Sequence, residues 1–192
     1  MNYLAHIFLS DGDGREQVGN FMADAVKGSS FDGYPAAVVR GVRLHRAIDH
    51  FTDTHPAVKA ALNELKPHFG RYSGALMDIY FDYLLASRFG EFSRVPLKRF
   101  TRRFYRVMVL NRKYLPDRIR SFMWHFIMTD RLSKYAAIGG IEESVGIMAK
   151  YGRMNIDPRQ AAAYLREHEA ELWAVFNPFF AELQLFCIQA RV

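Results

Sequence analysis

The side chains best suited to chemistry in this sequence are carboxylates, amides and imidazoles that occur in pairs four positions apart. The three pairs are Asn20/Asp24, His45/Asp49 and Asp78/Asp82. Residues four apart share one face of a helix, so an imidazole nitrogen and a carboxylate oxygen in such a pair can reach the same ion. His6 adds a further imidazole within an apolar stretch. This pattern favours one shared metal site over three separate buried polar defects, each of which would cost about 1–3 kcal/mol.

The composition of these pairs limits the choice of metal. Mixed imidazole and carboxylate ligands suit manganese, iron, zinc or magnesium, and the excess of oxygen ligands favours manganese or magnesium. Such an ion activates water and shields the charge of a phosphate in the transition state. The alternative for His45 and Asp49 is a structural hydrogen bond between the two side chains, and the alternative for Asp78 and Asp82 is a surface carboxylate pair.

The element predicted to carry the central pair is a long helix that contains the stretch from Val42 to Asp53. Pro35 has the backbone angle of a first helical turn, and Pro56 ends the helix after residue 54,. The stripe on one face of this helix begins with aliphatic side chains and ends with imidazole and carboxylate. A face of that kind is poorly suited to a dry core, which again favours a polar site at this end of the helix.

The rest of the chain is also predicted to be helical. Helical spacing, together with proline and glycine boundaries, predicts helices over residues 1–10, 15–27, 35–54, 56–66, 74–89, 96–113, 116–129, 141–148 and 158–190,. Gly90 is predicted to end a helix, Gly139 and Gly140 to separate two helices, and Pro178 to kink the last one. No alternating strand pattern is found. The predicted fold class is therefore all-α, with a single helical-bundle domain over residues 1–192.

Composition supports a folded domain and points to its compartment. Half of the residues are hydrophobic and 15% are aromatic, so a sizeable core is available,. Cys187 is the only cysteine, which excludes a disulfide framework within the chain and favours a reducing cytoplasm,. The sequence shows neither a signal peptide nor an apolar stretch of about 18 residues. These features predict a cytoplasmic protein without a membrane span.

The charge predicts an anionic partner. The formal net charge is +6 and the pI is about 9.5, which suits nucleic acid, a membrane surface or an acidic protein,. One predicted helix, residues 96–113, is apolar on one side and basic on the other, with Arg99, Arg102, Arg103 and Arg106 on the basic side. This side is either an ordinary solvated face or a docking surface for an acidic macromolecule.

Several short motifs follow one another along the first half of the chain. They are Asn-Tyr-Leu-Ala-His at 2–6, Gly-Asn-Phe-Met-Ala-Asp at 19–24, Gly-Val-Arg-Leu-His-Arg-Ala-Ile-Asp at 41–49 with Thr52-Asp53, and Asp78 with Asp82. Together they resemble the acyl carrier protein phosphodiesterases, and the resemblance extends to the aromatic C-terminal helix. This family is a divergent branch related to the HD-domain metal phosphohydrolases, which implies an HD-domain-like bundle. The chain departs from the HD pattern because it has no His-Asp dipeptide, and Asp49-His50 has the reverse order.

The resemblance implies an activity and a set of site residues. The activity is manganese-dependent hydrolysis of the phosphodiester that joins phosphopantetheine to a serine of holo-acyl carrier protein, with magnesium or iron as alternative metals. The products are apo-acyl carrier protein and 4'-phosphopantetheine. The implied metal ligands are His6, Asp24, His45, Asp49 and Asp78. Alternative ligands or supporting residues are Asn2, Asn20, Asp53 and Asp82.

The predicted catalytic residues are Asp24, His45 and Asp78. Asp24 or Asp78 would orient or deprotonate the attacking water, and solvent, His6 or His45 would protonate the serine oxygen that leaves. The four arginines of residues 96–113 would hold the acidic carrier, and neither nucleic acid nor a membrane is an expected partner. Two alternatives stay open: a phosphohydrolase that acts on nucleotides or other small phosphodiesters, and a non-enzymatic helical module that binds RNA or an acidic protein.

Overall fold

The computed structural model describes residues 1–10, 13–28, 31–152 and 154–190, and these residues form helices joined by short turns. The helices are α1 (Tyr3–Leu9), α2 (Gly14–Met22), α3 (Ala36–Thr54), α4 (Pro56–Phe69), α5 (Ser73–Ser87), α6 (Phe89–Phe92), α7 (Leu97–Leu110), α8 (Asp117–Met128), α9 (Arg131–Lys134), α10 (Ile138–Gly152), α11 (Pro158–Glu167) and α12 (Glu169–Gln189). Three 3₁₀ turns lie at Ala23–Ala25, Gly70–Tyr72 and Arg112–Tyr114. The described ranges contain no strand, so the predicted all-α, single-domain bundle is confirmed.

Helix α3 is the long helix predicted from the sequence. It begins directly after Pro35 and ends at Thr54, before the extended His55 that precedes Pro56,. Its buried side includes Val38, Val42 and then His45, so the apolar stripe does turn polar toward the C-terminal half. The polar end of the stripe meets α1 and α2 rather than solvent alone.

Helices α2 and α3 are in direct backbone contact because two glycines face each other's helix. A Cβ atom on Gly19 would lie 2.0 Å from the carbonyl oxygen of Val38, and one on Gly41 would lie 2.1 Å from the carbonyl oxygen of Glu16. Neither position has room for a side chain. This contact brings the C-terminal end of α2, with Asn20, against the side of α3 that carries the imidazole.

Aromatic side chains of α5 and α12 fill the centre of the bundle. Tyr80, Phe81, Phe176, Phe179 and Phe180 are fully buried. The ring of Phe81 lies 5.2 Å from that of Phe176 and 5.5 Å from that of Phe179. Helix α1 packs on α5 at one edge of this core, which places α1 beside α2 and close to α3. Among the described helices, none combines the length and the apolar content that crossing a bilayer requires.

Several predicted boundaries near glycine and proline were wrong. Gly139 and Gly140 do not separate helices but lie in the first turn of α10, where a Cβ atom on Gly140 would be 1.9 Å from the carbonyl oxygen of Lys134. The predicted helix 158–190 is two helices, because His168 (φ −110°, ψ 19°) leaves the helical conformation between α11 and α12. Pro178 lies inside α12, and the kink predicted there stays a prediction.

Other boundaries moved by a few residues. Helix α2 ends at Met22 rather than at residue 27, so Asp24 lies in a 3₁₀ turn. Helix α4 continues through Pro67, beyond its predicted end at residue 66, and ends before Gly70 with its positive φ of 53°. Helix α5 ends at Ser87, and Gly90 lies within α6 instead of closing α5.

Candidate metal centre

Two helices supply a compact group of three ligand-type side chains. Within α3, the Nε2 atom of His45 lies 3.0 Å from Oδ2 of Asp49, one turn further along. The Nε2 atom of His6, on α1, lies 3.2 Å from the other oxygen of Asp49. One ligand atom from each of these three residues falls within 4.8 Å of the others. The rings of His6 and His45 are stacked, with centroids 3.9 Å apart, so both imidazoles present an edge to the same carboxylate.

Asp24 approaches the group from the 3₁₀ turn that follows α2. Its Oδ1 atom lies 3.1 Å from Nε2 of His45, and its side chain is 70% exposed. By contrast, the side chains of His6 and His45 are buried, with 2% and 8% exposure. Asp24 is therefore the carboxylate at the solvent side of the group, while Asp49 contacts the edges of both imidazoles.

The hydrogen bonds of His45 define what its Nε2 atom requires. Its Nδ1 atom lies 2.9 Å from the main-chain carbonyl oxygen of Asn20, an acceptor, so Nδ1 carries a hydrogen and donates it,. Nε2 then faces oxygens of both Asp24 and Asp49, which are also acceptors. A neutral ring would point a bare lone pair at two carboxylates. A positive charge is needed at this nitrogen, and either a proton or a metal ion satisfies that need.

The pKa values of the group follow from burial and these contacts. Burial alone would lower the pKa of His45, but hydrogen bonds to Asp24 and Asp49 outweigh it and raise the pKa to about 9. Burial lowers the pKa of His6 to about 4. Burial would raise the pKa of Asp49, yet hydrogen bonds from His45 and His6 hold it well below its usual range. Without a metal, the group at neutral pH is one imidazolium, one neutral imidazole and two carboxylates.

The donor set fits a divalent transition-metal ion. Two imidazole nitrogens and the carboxylates of Asp49 and Asp24 are the mixture that manganese, iron or zinc accepts in proteins. The Nδ1 atom of His6 is buried without a hydrogen-bond partner, and its Nε2 atom is shared between Asp49 and the carbonyl oxygen of Met1 at 3.1 Å. His6 is thus held less completely than His45, because one of its two ring nitrogens has no hydrogen-bond partner.

Asp78 is joined to the group through a main-chain amine. Its Oδ1 atom accepts a hydrogen bond from the α-ammonium of Met1 at 2.8 Å, and the same ammonium lies 3.9 Å from Oδ1 of Asp49. Burial alone would lower the pKa of this amine, but the charges of Asp78 and Asp49 outweigh burial and raise it. Asp78 therefore lies beside the imidazole and carboxylate group, across one positive charge from it.

Asn20 connects the two imidazole-bearing segments. Its Nδ2 atom donates to the carbonyl oxygen of His6 at 2.8 Å and to Oγ of Ser10 at 2.9 Å. Its Oδ1 atom lies 3.2 Å from Nδ1 of His45. Asn20 is fully buried. Asn20, which was predicted as an alternative ligand or support, thus contacts Nδ1 of the His45 ring and the main-chain carbonyl of His6.

The remaining predicted site residues lie outside the group. Both oxygens of Asp82 accept main-chain N–H groups at the start of α1, from Leu4 at 2.8 Å and Ala5 at 3.0 Å. The side chain of Asn2 caps the same helix through Tyr3. Asp53 is exposed, one turn beyond Asp49 on α3. Asp82 and Asn2 hold the helix that carries His6, and they meet backbone rather than the imidazoles.

Sequence reasoning missed one contact that supports Asp24. The guanidinium of Arg46, the residue after His45, donates to the carbonyl oxygens of Gly28 at 2.7 Å and Val26 at 3.3 Å. These carbonyls belong to the segment that follows the Asp24 turn. Arg46 therefore ties that segment to α3. An arginine next to a candidate ligand was the only available signal, and it does not indicate a backbone partner.

The basic helix lies apart from the group. Arg99, Arg102, Arg103 and Arg106 are exposed on α7 and line a groove of about 880 Å³. The residues lining this groove include none of the side chains of the metal centre. The groove is thus a separate cationic surface.

Comparisons with known proteins show which family this sequence matches. A family model described as acyl carrier protein phosphodiesterase matches residues 1–183. A Photorhabdus laumondii protein named acyl carrier protein phosphodiesterase is 29% identical over 191 residues, covering 94% of this chain and 91% of the relative. A Klebsiella pneumoniae protein of the same name is 31% identical over 153 residues, 78% of each chain.

A third relative with that name, from Enterobacter sp. strain 638, is 36% identical over 103 residues. The matched segment covers 53% of each chain, so this match spans about half the length of that relative. No solved structure matches the chain. The HD-domain-like part of the predicted fold therefore stays a prediction.

Proposed function

Because this chain belongs to the acyl carrier protein phosphodiesterase family, we propose that it hydrolyses the phosphodiester between phosphopantetheine and a serine of holo-acyl carrier protein. The products are apo-acyl carrier protein and 4'-phosphopantetheine. The observation that supports this reaction most is the environment of His45, whose Nε2 atom faces carboxylate oxygens of Asp24 and Asp49 at 3.1 and 3.0 Å. A site that needs a cation at one buried nitrogen is suited to metal-assisted attack on a phosphodiester.

The proposed cofactor is a divalent metal ion, manganese by preference, with magnesium or iron as alternatives. His6, His45 and Asp49 would hold it, with Asp24 at the solvent side and Asp78 nearby. When bound, the ion supplies electrostatic stabilisation of the phosphoryl oxygens and lowers the pKa of a nearby water. Asn20 fixes the orientation of the His45 ring through the hydrogen bond at Nδ1, so the nitrogen offered to the ion is Nε2,.

The proposed roles of the carboxylates follow from their exposure. Asp24 is the exposed carboxylate of the group, so it can contact a water that enters with the substrate and accept or direct its proton,. Asp78, with 40% side-chain exposure, is the second candidate for this role. As a ligand, His45 has no free nitrogen, because Nδ1 donates to Asn20. The proton for the serine oxygen that leaves would then come from solvent.

The proposed docking surface is the basic face of α7. Because the substrate is a protein, we expect it to be bound at a surface remote from the reacting phosphodiester as well as at the phosphodiester itself. Arg99, Arg102, Arg103 and Arg106 give a concentrated positive surface that suits an acidic carrier, and long-range attraction of this kind chiefly raises the association rate,.

The function is tested by incubating the purified protein with holo-acyl carrier protein and manganese and weighing the carrier by mass spectrometry. The expected result is loss of the phosphopantetheine mass, and chelation of the metal should prevent it. Release of phosphopantetheine that persists after complete chelation would contradict the metal's role. Absence of release at stoichiometric protein, with cleavage of nucleotides or small diesters instead, would support the small-substrate alternative.

A further inference from the structure

The excess of basic over acidic residues in this chain lies in one segment. Residues 94–128 contain ten Lys and Arg residues and a single Asp, although the whole chain has 26 basic and 20 acidic residues. The rest of the chain therefore has 16 basic and 19 acidic residues and is slightly negative. All ten basic side chains of the segment are exposed. The segment comprises α7, the 3₁₀ turn Arg112–Tyr114 and α8, so the cationic surface extends beyond the four arginines of α7.

Helix α8 also presents large apolar side chains to solvent. Its inner side, Ile119, Met123 and Phe126, is buried. On its outer side, Trp124 is 51% exposed and Met128 is 82% exposed, one helical turn apart,. Tryptophan, methionine and arginine are the side chains enriched at the centres of protein–protein interfaces. The outer side of α8 thus combines the composition of an interface with an exposed position.

The inner side of α8 packs on α1, which carries His6, and on α2, which precedes the turn with Asp24. The ring of Phe126 lies 5.7 Å from that of Tyr3 on α1 and 5.4 Å from that of Phe21 on α2. Tyr3 precedes His6 by three residues, and Phe21 precedes Asp24 by three. Burial raises the pKa of Tyr3, the charge of Asp24 raises it further and Arg118, at the start of α8, lowers it. A protein held on the outer side of α8 would therefore be separated from α1 and α2 by the thickness of one helix, about 10 Å.

We propose that the outer face of α8, with Trp124, Met128 and the exposed Arg120 one turn before Trp124,, is a second docking surface for the acidic carrier protein. The arginine meets carboxylates of the carrier, while Trp124 and Met128 pack against an apolar patch within its acidic surface. Charge complementarity selects this occupant, because the only strongly cationic segment of the chain is the one that also exposes these apolar side chains. The inference rests on the proposed function, since it takes the carrier as the substrate.

The test compares the double variant Trp124→Ala/Met128→Ala with a matched pair, Leu185→Ala/Ile188→Ala. The control side chains lie on α12 with 62% and 60% exposure, outside the cationic segment. The α8 variant should weaken carrier binding, measured by calorimetry with apo-carrier, and raise KM for holo-carrier by about tenfold or more. Its kcat and thermal midpoint should change little, and the control pair should match the wild type within about twofold. Wild-type affinity in the α8 variant would overturn the inference.

Further measurements distinguish the proposed docking surface from the proposed function and from membrane binding. Binding of apo-carrier does not require catalysis. If the wild-type protein binds apo-carrier but releases no phosphopantetheine from holo-carrier, the proposed function is refuted and the docking surface is still supported. Release at the wild-type rate by the α8 variant at holo-carrier concentrations well below KM would refute the docking surface and leave the function standing. Vesicles of anionic phospholipid are the third probe. If the α8 substitutions abolish vesicle binding but leave carrier binding intact, the face is a membrane surface and the inference is wrong.

Discussion

Asp49 is the residue on which the proposed metal centre depends most. Its two oxygens are divided between the two imidazoles, Oδ1 toward His6 and Oδ2 toward His45. It is also the only carboxylate in the three-residue group whose ligand atoms lie within 4.8 Å of one another among the described residues. An amide at this position keeps one oxygen but loses the charge and turns an N–H group toward an imidazole.

We therefore expect Asp49→Asn to lose most of the metal affinity. Manganese should raise the thermal midpoint of the wild-type protein by binding the native state, and this increase should disappear in the variant. Phosphopantetheine release should fall by about a hundredfold or more. Asp53→Asn, one turn further along α3 and exposed, should have a much smaller effect on both measurements. An equal manganese response in wild type and Asp49→Asn would exclude Asp49 as a ligand.

Asp82, which accepts hydrogen bonds from N–H groups in the first turn of α1, allows a test of how that helix is held in place. Burial raises its pKa to about 7, although the N–H groups of Leu4 and Ala5 act in the opposite direction. The pKa of an aspartate in the unfolded chain is about 3.9. The folded protein therefore binds more protons than the unfolded chain between these values, and the contribution of Asp82 to stability should fall as pH rises from 4 through 7.

The variant Asp82→Asn cannot titrate and should lack this pH dependence. It also presents an amide nitrogen to a main-chain N–H donor, which should cost about 1–3 kcal/mol. Urea unfolding of both metal-free proteins at pH 5, 6, 7 and 8 measures the difference in unfolding free energy. We expect this difference to shrink as pH rises. A difference that grows with pH would show that the two N–H groups stabilise the ionised carboxylate more than burial destabilises it.

At the scale of elements, the contact between α2 and α3 determines the spacing of the site. Gly19 and Gly41 let the two backbones meet, and Asn20 follows Gly19 directly while His45 lies one turn after Gly41. Because atoms of the main chain are in contact, a side chain at either glycine must push the helices apart. That displacement would move Asn20 and Asp24 away from the imidazole of His45.

We expect Gly41→Ala to destabilise the protein by about 1–3 kcal/mol or more, since its Cβ atom would lie 2.1 Å from the carbonyl oxygen of Glu16,. Gly74→Ala is the matched control, because nothing lies within 4 Å of a Cβ atom there and Gly74 is also in a helix. This control should be neutral or stabilising by up to about 1 kcal/mol. Denaturant unfolding measures both, and equal stability of the two variants would contradict the tight contact.

Elements also show which predictions the sequence can support. The closeness of His45 and Asp49 was predictable, because one regular helix determines the distance between residues four apart. Asp78 and Asp82 have the same spacing on α5, yet one meets the amine of Met1 and the other the N-terminus of α1. Spacing indicates that two side chains share a face, but the partner of that face depends on how helices pack. Similarly, the sequence shows that residue 140 is a glycine, but it does not show that the backbone there lies against the carbonyl oxygen of Lys134.

At the scale of the whole molecule, the all-α class and the aromatic core follow from composition and periodicity. The position of the cationic surface does not, because a helical pattern gives the exposed side of each helix without giving its distance from another site. The arginines of α7 were therefore predicted as a docking face from α7 alone. The part that α8 adds depends on its packing against Tyr3 and Phe21, which only the fold reveals.

The two opposed glycines have a consequence for heating. At these two positions the helices cannot move closer or tilt by exchanging rotamers, since no side chain separates the two backbones there. The imidazole of α3 and the turn after α2 should thus keep their separation until the bundle itself comes apart. Thermal loss of the proposed ion and loss of helical circular dichroism should then occur in one cooperative transition, without an earlier stage in which an intact fold carries a loosened centre.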